Sequence, residues 1–391
     1  IAFTTTDNST FDSNLIRTTN ANAYGIQFTA GSVGNLIKNN NITLIGGSSR
    51  GISLSTFSSD PDYTTIINNT ILTTNTSSNG TRIESNHNFF INNSIITVGN
   101  ASMGLSITQY GNNSFINNSI RTSGVRAYGI ILESSFNSSF ANLSILTQGA
   151  NSSGIFFANS TSSLGNVFRG LQVYANHSSI YSNALSINGI NHNFTFIDSI
   201  LNSTGTANDT FIAGTIKGGE WNFTNVTRSN GTLFTSQWTR GANGTLHVHW
   251  YQDAIANYSN GGIANNANIT AWDRNNLFQF SQLTASTGRI SKQTLLEYKQ
   301  NNTGGLNTTT FSNYTFNATS VLGTNVSQSW NMTMNRELNF TFTCSMSILL
   351  STNLSNNILF NVTTLPISYL NASGNNGSSP TDYRITLESS G

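Results

Sequence analysis

The sequence predicts an all-β chain: a right-handed parallel β-helix of about eight coils, followed by β-sandwich modules. Two observations carry this expectation. The segment Phe90-Ile91-Asn92-Asn93-Ser94-Ile95 recurs with variation eight times, beginning at Phe11, Ile37, Ile66, Phe90, Phe115, Phe140, Phe168 and Phe196, with successive copies 24 to 29 residues apart. A period in that range marks a solenoid, in which each repeat buries its apolar side only by stacking on its neighbours. The second observation is alternation of apolar and polar residues over four or five positions, with no sustained helical period.

Within the hexad, the first residue is always large and apolar, so Phe11, Phe90, Phe115, Phe140, Phe168 and Phe196 read as a stack inside the coils. The third position holds Ser13, Asn39, Asn68, Asn92, Asn117, Asn142, Gly170 and Asp198, types that tolerate a left-handed backbone at a corner. The column Asn39, Asn68, Asn92, Asn117 and Asn142 is expected to form a structural ladder, since stacked amides hydrogen-bond along such a column. A second apolar run follows a glycine in several repeats, as in Gly25-Ile26-Gln27-Phe28, Gly51-Ile52-Ser53-Leu54 and Gly154-Ile155-Phe156-Phe157. A coil of about 26 residues accommodates three short strands and three turns, and eight coils at roughly 4.8 Å give a rod of about 35 to 40 Å. A leucine-rich repeat has a similar period, but the leucine pattern and helical segments it needs are missing.

The hexad stops after Leu201. Residues 1–214 are therefore assigned to the β-helix, and 215–245, with Trp221 and Trp238, to a cap or linker. From Leu246 the alternation suggests ordinary antiparallel strands in an Ig-like sandwich over 246–346, and 347–391 is left as a partial second module or assembly segment. Leu338 to Ile348 alternate without interruption, which reads as one strand running into the next module.

Charged residues make up 8% of the chain and the net charge is +1, too little charge for nucleic-acid binding to lead. There are 34 Asn-x-Ser/Thr sequons, so use of even a minority implies an extracellular or cell-surface location and covalently attached N-glycans. Crowding at the corner column favours Asn79, Asn151, Asn208, Asn230 and Asn371 as glycan sites over Asn68, Asn92, Asn117 and Asn142. The lone Cys344 fits a fold without disulfides. No apolar stretch approaches eighteen residues, so no membrane span is expected in these residues.

The Asn-Asn-x-Ile coils resemble the β-helix repeats of the pectate-lyase-like superfamily. The Asn- and sequon-rich version is similar to secreted surface proteins of archaea. Thr287-Gly288-Arg289-Ile290, Gln293 to Tyr298 and Asn331 to Arg336 are similar to the carboxypeptidase-regulatory-like, immunoglobulin-like modules that follow β-helices in such proteins. That superfamily includes lyases, hydrolases, adhesins and inert surface proteins. The resemblance implies that a member cleaving polysaccharide would use clustered carboxylates, often with calcium, or an Arg or Lys base on one face.

Carboxylates in the coils are few: Asp12, Asp60, Asp62, Glu84, Glu133, Asp198 and Asp209. Asp60 and Asp62 read as a turn. Glu84 and Glu133 hold similar places two coils apart and read as an isolated surface pair. His247 and His249, with Asp253 as the nearest further ligand, read as a solvated strand face rather than a metal site, and Cys344 as a small core residue. With no catalytic or metal residues assigned and no cofactor implied, the sequence leads to a non-enzymatic structural subunit of an archaeal extracellular filament or surface layer, self-assembling head-to-tail or by strand addition. A carbohydrate-binding adhesin is the alternative, followed by a polysaccharide lyase or hydrolase; exposed aromatic grooves would favour the adhesin and a carboxylate cluster the enzyme.

Overall fold

A computed structural model describes residues 1–29, 31–55, 62–158, 162–213, 217–302, 304–343, 345–348 and 387–390. They form β-strands and turns, with no helix among the described residues. The chain divides into two units, Ile1–His249 with Glu297–Thr310, and Trp250–Leu296 with Phe311–Gly391.

The first unit is a right-handed parallel β-solenoid of about nine turns. Its first sheet takes one strand per coil, from Ala2–Thr4 through Tyr24–Thr29, Arg50–Ser55, Asn79–Ile83, Leu105–Thr108, Ile130–Glu133, Ile155–Phe157, Leu185–Ile187 and Thr210–Ile212 to Ser236–Trp238. The hexads supply the other two sheets: in the coil of Phe115, Ser114–Ile116 lies in the second and Ser119–Thr122 in the third. Strands of neighbouring coils are parallel and, apart from shifts at Leu164/Asn166 and Lys217/Glu220, keep register, so equivalent residues of successive repeats pair directly, as Phe90 with Phe115 and Phe115 with Phe140. The rings of Phe90, Phe115, Phe140, Phe168 and Phe196 stack with centroids 4.9, 4.7, 4.6 and 4.5 Å apart. Phe11 lies outside that column, because Ile37 and Ile66 hold its place in the next two coils; its ring packs on Phe3 and Phe28 instead.

Each coil turns three corners, and a residue in the left-handed region stands at most of them, though none does at the corner before Leu185–Ile187. The hexad corner has Ser13, Asn39, Asn68, Asn92, Asn117, Asn142, Gly170, Asp198 and Asn225 at φ of 50 to 66°. In this conformation the following N–H turns inward, where water cannot reach it, and a buried acceptor from the next coil must meet it. The buried amide ladder therefore runs one residue after the column expected to form it. Asn39, Asn68, Asn92, Asn117 and Asn142 are exposed, whereas Asn40, Asn69, Asn93 and Asn118 are buried. The backbone N–H groups of Asn14, Asn40, Asn69 and Asn93 donate to Oδ1 of the next rung at 2.9 to 3.0 Å, and their Nδ2 groups do so as well. Serine plays this part at the corner before the first sheet, where the N–H groups of Ala23, Ser49 and Ser78 meet the hydroxyls of Ser49, Ser78 and Ser102. The third corner uses Asn88, Asn113, Ser138, Asn166 and, once, the Nδ1 of buried His192.

Close approach explains the glycine at the start of the first-sheet strands from Gly25 to Gly154, a place that Ala184 and Asp209 hold in later coils. A Cβ on Gly25, Gly51, Gly80, Gly104 or Gly129 would fall 2.2 to 2.4 Å from the Cγ2 of Ile42, Ile71, Ile95, Ile120 or Ile145. The third sheet's aliphatic column occupies that space.

Where the sequence places a cap or linker, the coils continue. Lys217–Thr227 pairs in parallel with Asn193–Ser203, and Asn243–Tyr258 pairs in turn with Lys217–Thr227 as far as His249. Trp221 is a core residue, fully buried, with Nε1 donating to the carbonyl of His192 at 2.8 Å. The last first-sheet strand is instead met by a distant hairpin, Gln293–Asn301 with Asn307–Thr310. Gln300 Oε1 accepts from Trp238 Nε1 at 2.8 Å and from Ser236 Oγ at 3.0 Å, and Asn302 donates to the carbonyl of Thr239.

In the second unit, residues 252–258 pair with Arg336–Phe342, and the pairing is parallel rather than the antiparallel arrangement expected from Leu246 onward. The antiparallel part is a four-stranded sheet in the order Phe278–Leu283, Asn268–Trp272, Tyr314–Ser320, Gly323–Trp330. Ile269, Ala271, Phe280, Tyr314, Phe316 and Ala318 are buried on its inner face. The expected continuous strand from Leu338 to Ile348 is two strands, Arg336–Phe342 and Ser345–Ile348, the latter paired antiparallel with Leu387–Ser390. Cys344 lies outside the described residues.

Candidate functional site

Strand alternation turns Gln27, Ser53, Arg82, Ser106, Ile131, Phe156, Ser186 and Phe211 outward from the first sheet, in one column of register partners. Much of this column is nevertheless buried. Gln27, Ser53, Ser106, Ile131 and Ser186 are 8, 0, 8, 7 and 4% exposed, so they form the floor of a groove.

Aromatic side chains gather over the later coils. Tyr128 and Phe156 stack at 4.4 Å and 10°, and Tyr181 meets Phe211 edge-on at 6.5 Å. Together with Arg126, Asn151, Asn183 and Asn188 they line an open pocket of about 340 Å³. Burial raises the Tyr128 hydroxyl above its ordinary value, with Arg126 opposing, so this phenol is neutral and available as a hydrogen-bond donor. Aromatic rings with a few convergent amides and hydroxyls are the composition of a site for a neutral or polyhydroxylated ligand.

Glu84 and Glu133 belong to the same face. Glu133 ends the strand Ile130–Glu133 two residues beyond Ile131, and Glu84 follows Arg82 at the same interval. Glu84 pairs with the Arg82 guanidinium. Thr108, the register partner of Glu133, stands in the coil between and reaches Glu133 Oε2 at 3.5 Å. Two rungs at 4.7 to 4.9 Å put the backbones of Glu84 and Glu133 about 9 to 10 Å apart. This is the two-coil spacing that the sequence implies, and neither side chain lines the aromatic pocket. Sequence reading missed Tyr128, Phe156, Tyr181 and Phe211. A signal was present, because Phe156 and Phe211 occupy the position held by Gln27, Ser53 and Ser106 in sister repeats.

The other acidic side chains do structural work. Asp12 binds Lys38 at 3.1 Å, and hydrogen bonds from Asn39, Ser13 and Lys38 hold its carboxyl below the usual range. Asp209 is fully buried, accepting from Ser203 N, Thr235 N and Thr235 Oγ1 at 2.7 to 2.9 Å. Asp62 accepts from Asn86 N at 2.7 Å, and Asp60 lies outside the described residues. Among the glycan candidates, Asn79 accepts from Met103 N, Asn151 accepts from Ser179, Asn208 donates to Gln237, and Asn230 accepts from Thr232 of its own sequon; Asn371 lies outside the described residues.

His247 and His249 lie with rings parallel and 6.3 Å apart. They are half-buried rather than on the solvated face expected, with His247 Nε2 and His249 Nδ1 buried and unbonded. Among the described residues, no group of three His, Cys, Asp or Glu side chains is placed to hold a metal ion. Burial, then the charge of His247, pushes His249 down to about 4 from 6.5. The fold thus holds a neutral imidazole, whose contribution to stability is complete above about pH 6.5 and is lost as pH falls toward 4. Wild type should lose about 2 to 3 kcal/mol more than His249→Gln across that window. Urea midpoints at pH 7 and 4.5 check this, and parallel losses would remove His249 as the source.

No family model matches the chain, and no curated protein does so. Among solved structures, the fold is similar to the A-module of the Azotobacter vinelandii mannuronan C-5 epimerase AlgE4, at 11% identity over 60% of this chain and 75% of that one, with a TM-score of 0.38. It is also similar to tailspike protein 2 of an Escherichia coli O157:H7 bacteriophage, at 11% identity over 84% and 64% and a TM-score of 0.29. A third is tailspike gp49 of Acinetobacter baumannii bacteriophage Fri1, a capsular polysaccharide depolymerase, at 9% identity over 79% and 64% and a TM-score of 0.15. At these identities the likeness is one of fold. The expectation of a non-enzymatic filament or surface-layer subunit is corrected here: the neighbours are described as an epimerase and as tailspikes, one of them a depolymerase.

Proposed function

We propose that the protein processes polysaccharide along the outer groove of the first sheet. The observation that carries this reading is that Glu84 and Glu133 fall two rungs apart at the ends of first-sheet strands, a sheet whose outward column also supplies Phe156 and Phe211 to the aromatic pocket. Glycoside cleavage with inversion uses two carboxyl groups about 6.5 to 9.5 Å apart, and the rung spacing falls at the upper end of that range. One carboxylic acid protonates the leaving glycosidic oxygen; the other, as carboxylate, takes a proton from the water that attacks the anomeric carbon. The Arg82 fork orients Glu84, and the aromatic pair holds a sugar ring in an adjoining subsite.

The test is release of new reducing ends from a panel of neutral and acidic polysaccharides by the full chain. Glu133→Gln and Glu84→Gln should each lower turnover by about 10² to 10⁴ while leaving the thermal midpoint in place. Phe156→Ala should chiefly raise KM. Binding without cleavage by the wild type would turn the reading to a carbohydrate-binding protein, for which the aromatic pocket alone suffices. Cleavage by both Gln variants at the wild-type rate would remove the carboxylates from the mechanism.

A further inference from the structure

We propose that the outer face of the four-stranded sheet in the second unit is a separate saccharide-binding site, with Trp272 as platform and a neutral hexose unit as ligand. The buried face of this sheet is ordinary core, but the opposite face has an unusual composition. None of the strands Asn268–Trp272, Phe278–Leu283, Tyr314–Ser320 and Gly323–Trp330 carries an Asp, Glu, Lys or Arg. Beside the exposed Leu283 at the edge, its outward positions include amides and hydroxyls tied across the strands. Thr270 meets Ser281 at 3.2 Å, Ser281 donates to Asn268 at 2.8 Å, Thr315 meets Ser329 at 3.3 Å, and Ser327 donates to Asn317 at 2.7 Å. Those bonds fix the side chains before any ligand arrives, so little rotamer freedom is left to lose on binding.

Into this flat, uncharged surface is set one half-exposed indole. Trp272, with Asn276, Thr315 and Asn317, lines a shallow pocket of about 260 Å³. Its cross-strand partner Phe278 is 62% exposed, so a second apolar ring adjoins it at the sheet edge. An indole face stacks on the C–H side of a pyranose, and the flanking amide and hydroxyls pair with its equatorial hydroxyls. The absence of ionised groups in all four strands selects a neutral sugar, since a uronate or sulfate would be desolvated there without a counter-charge.

The experiment is affinity electrophoresis of the full chain in gels containing a neutral β-glucan, a neutral mannan or a polyuronate, with intact-mass measurement of the same sample. The neutral gels should retard wild type, and Trp272→Ala should weaken that retardation about tenfold, the scale of losing one well-packed aromatic contact. Trp272→Phe should keep part of it, which separates loss of stacking from loss of fold. Trp272→Ala should weaken retardation by the same factor in a Phe156→Ala background, from which the groove's aromatic contact has been removed, so this site is read independently of the groove. The proposal is overturned if neither neutral gel retards wild type, if Trp272→Ala runs as wild type does, or if Trp272→Ala changes nothing in the Phe156→Ala background. It is also overturned if a glycan carried on the sequons of Asn268 or Asn317 is found to cover the face.

Discussion

Phe115→Ala should destabilise the solenoid by about 3 to 5 kcal/mol, among the largest effects of any single truncation in the chain. The ring is 1% exposed and lies between Phe90 at 4.9 Å and Phe140 at 4.7 Å, so its removal opens a cavity with an aromatic face above and below. Collapse is hindered because both neighbours are held by in-register parallel pairing on their own strands. Phe11→Ala should cost much less, since that ring sits in the first coil, partly exposed, on Phe3 and Phe28. Urea denaturation of both variants checks the contrast, and equal losses would mean that the stacked column adds nothing to ordinary burial.

Asn93→Ala should cost about 3 kcal/mol, whereas Asn92→Ala, one residue earlier, should cost about 1. Asn93 is 2% exposed. Its Oδ1 receives both the backbone N–H and the Nδ2 of Asn69 at 3.0 Å, and its own Nδ2 bonds the carbonyl of Ile66 and Asn118 Oδ1. Alanine leaves buried groups of two adjacent coils without partners. At Asn92 only the cost of placing a Cβ residue at φ of 53° is felt, and Asn92→Gly should recover it. Thermal midpoints of the three variants decide the matter. A larger loss at Asn92 than at Asn93 would return the ladder to the exposed column.

The repeat made the solenoid legible. A column such as Phe90, Phe115 and Phe140 appears in sequence because every coil presents its own copy, and parallel in-register stacking brings those copies together without any long-range choice. The same periodicity could not say which of two adjacent asparagines turns inward. Asn92 and Asn93 repeat equally well, and only the left-handed backbone at the first of them sends the second into the core. Nor did it reveal where the coils end, because Trp221 has no place in the hexad yet is buried as the next rung of the stack, and the hairpin bonded to Trp238 comes from about sixty residues further along the chain.

The candidate site was the least legible part for the same physical reason. Glu84 and Glu133 are 49 positions apart, and Tyr128, Phe156, Tyr181 and Phe211 are spread over four coils; each is an unremarkable substitution within its own repeat. The sequence by itself determined the period, the apolar columns and the corners, which are local patterns multiplied by stacking. The tertiary structure alone decided which outward side chains share a groove, because that depends on register between coils, and register converts a separation of tens of residues into one or two rungs of about 4.8 Å.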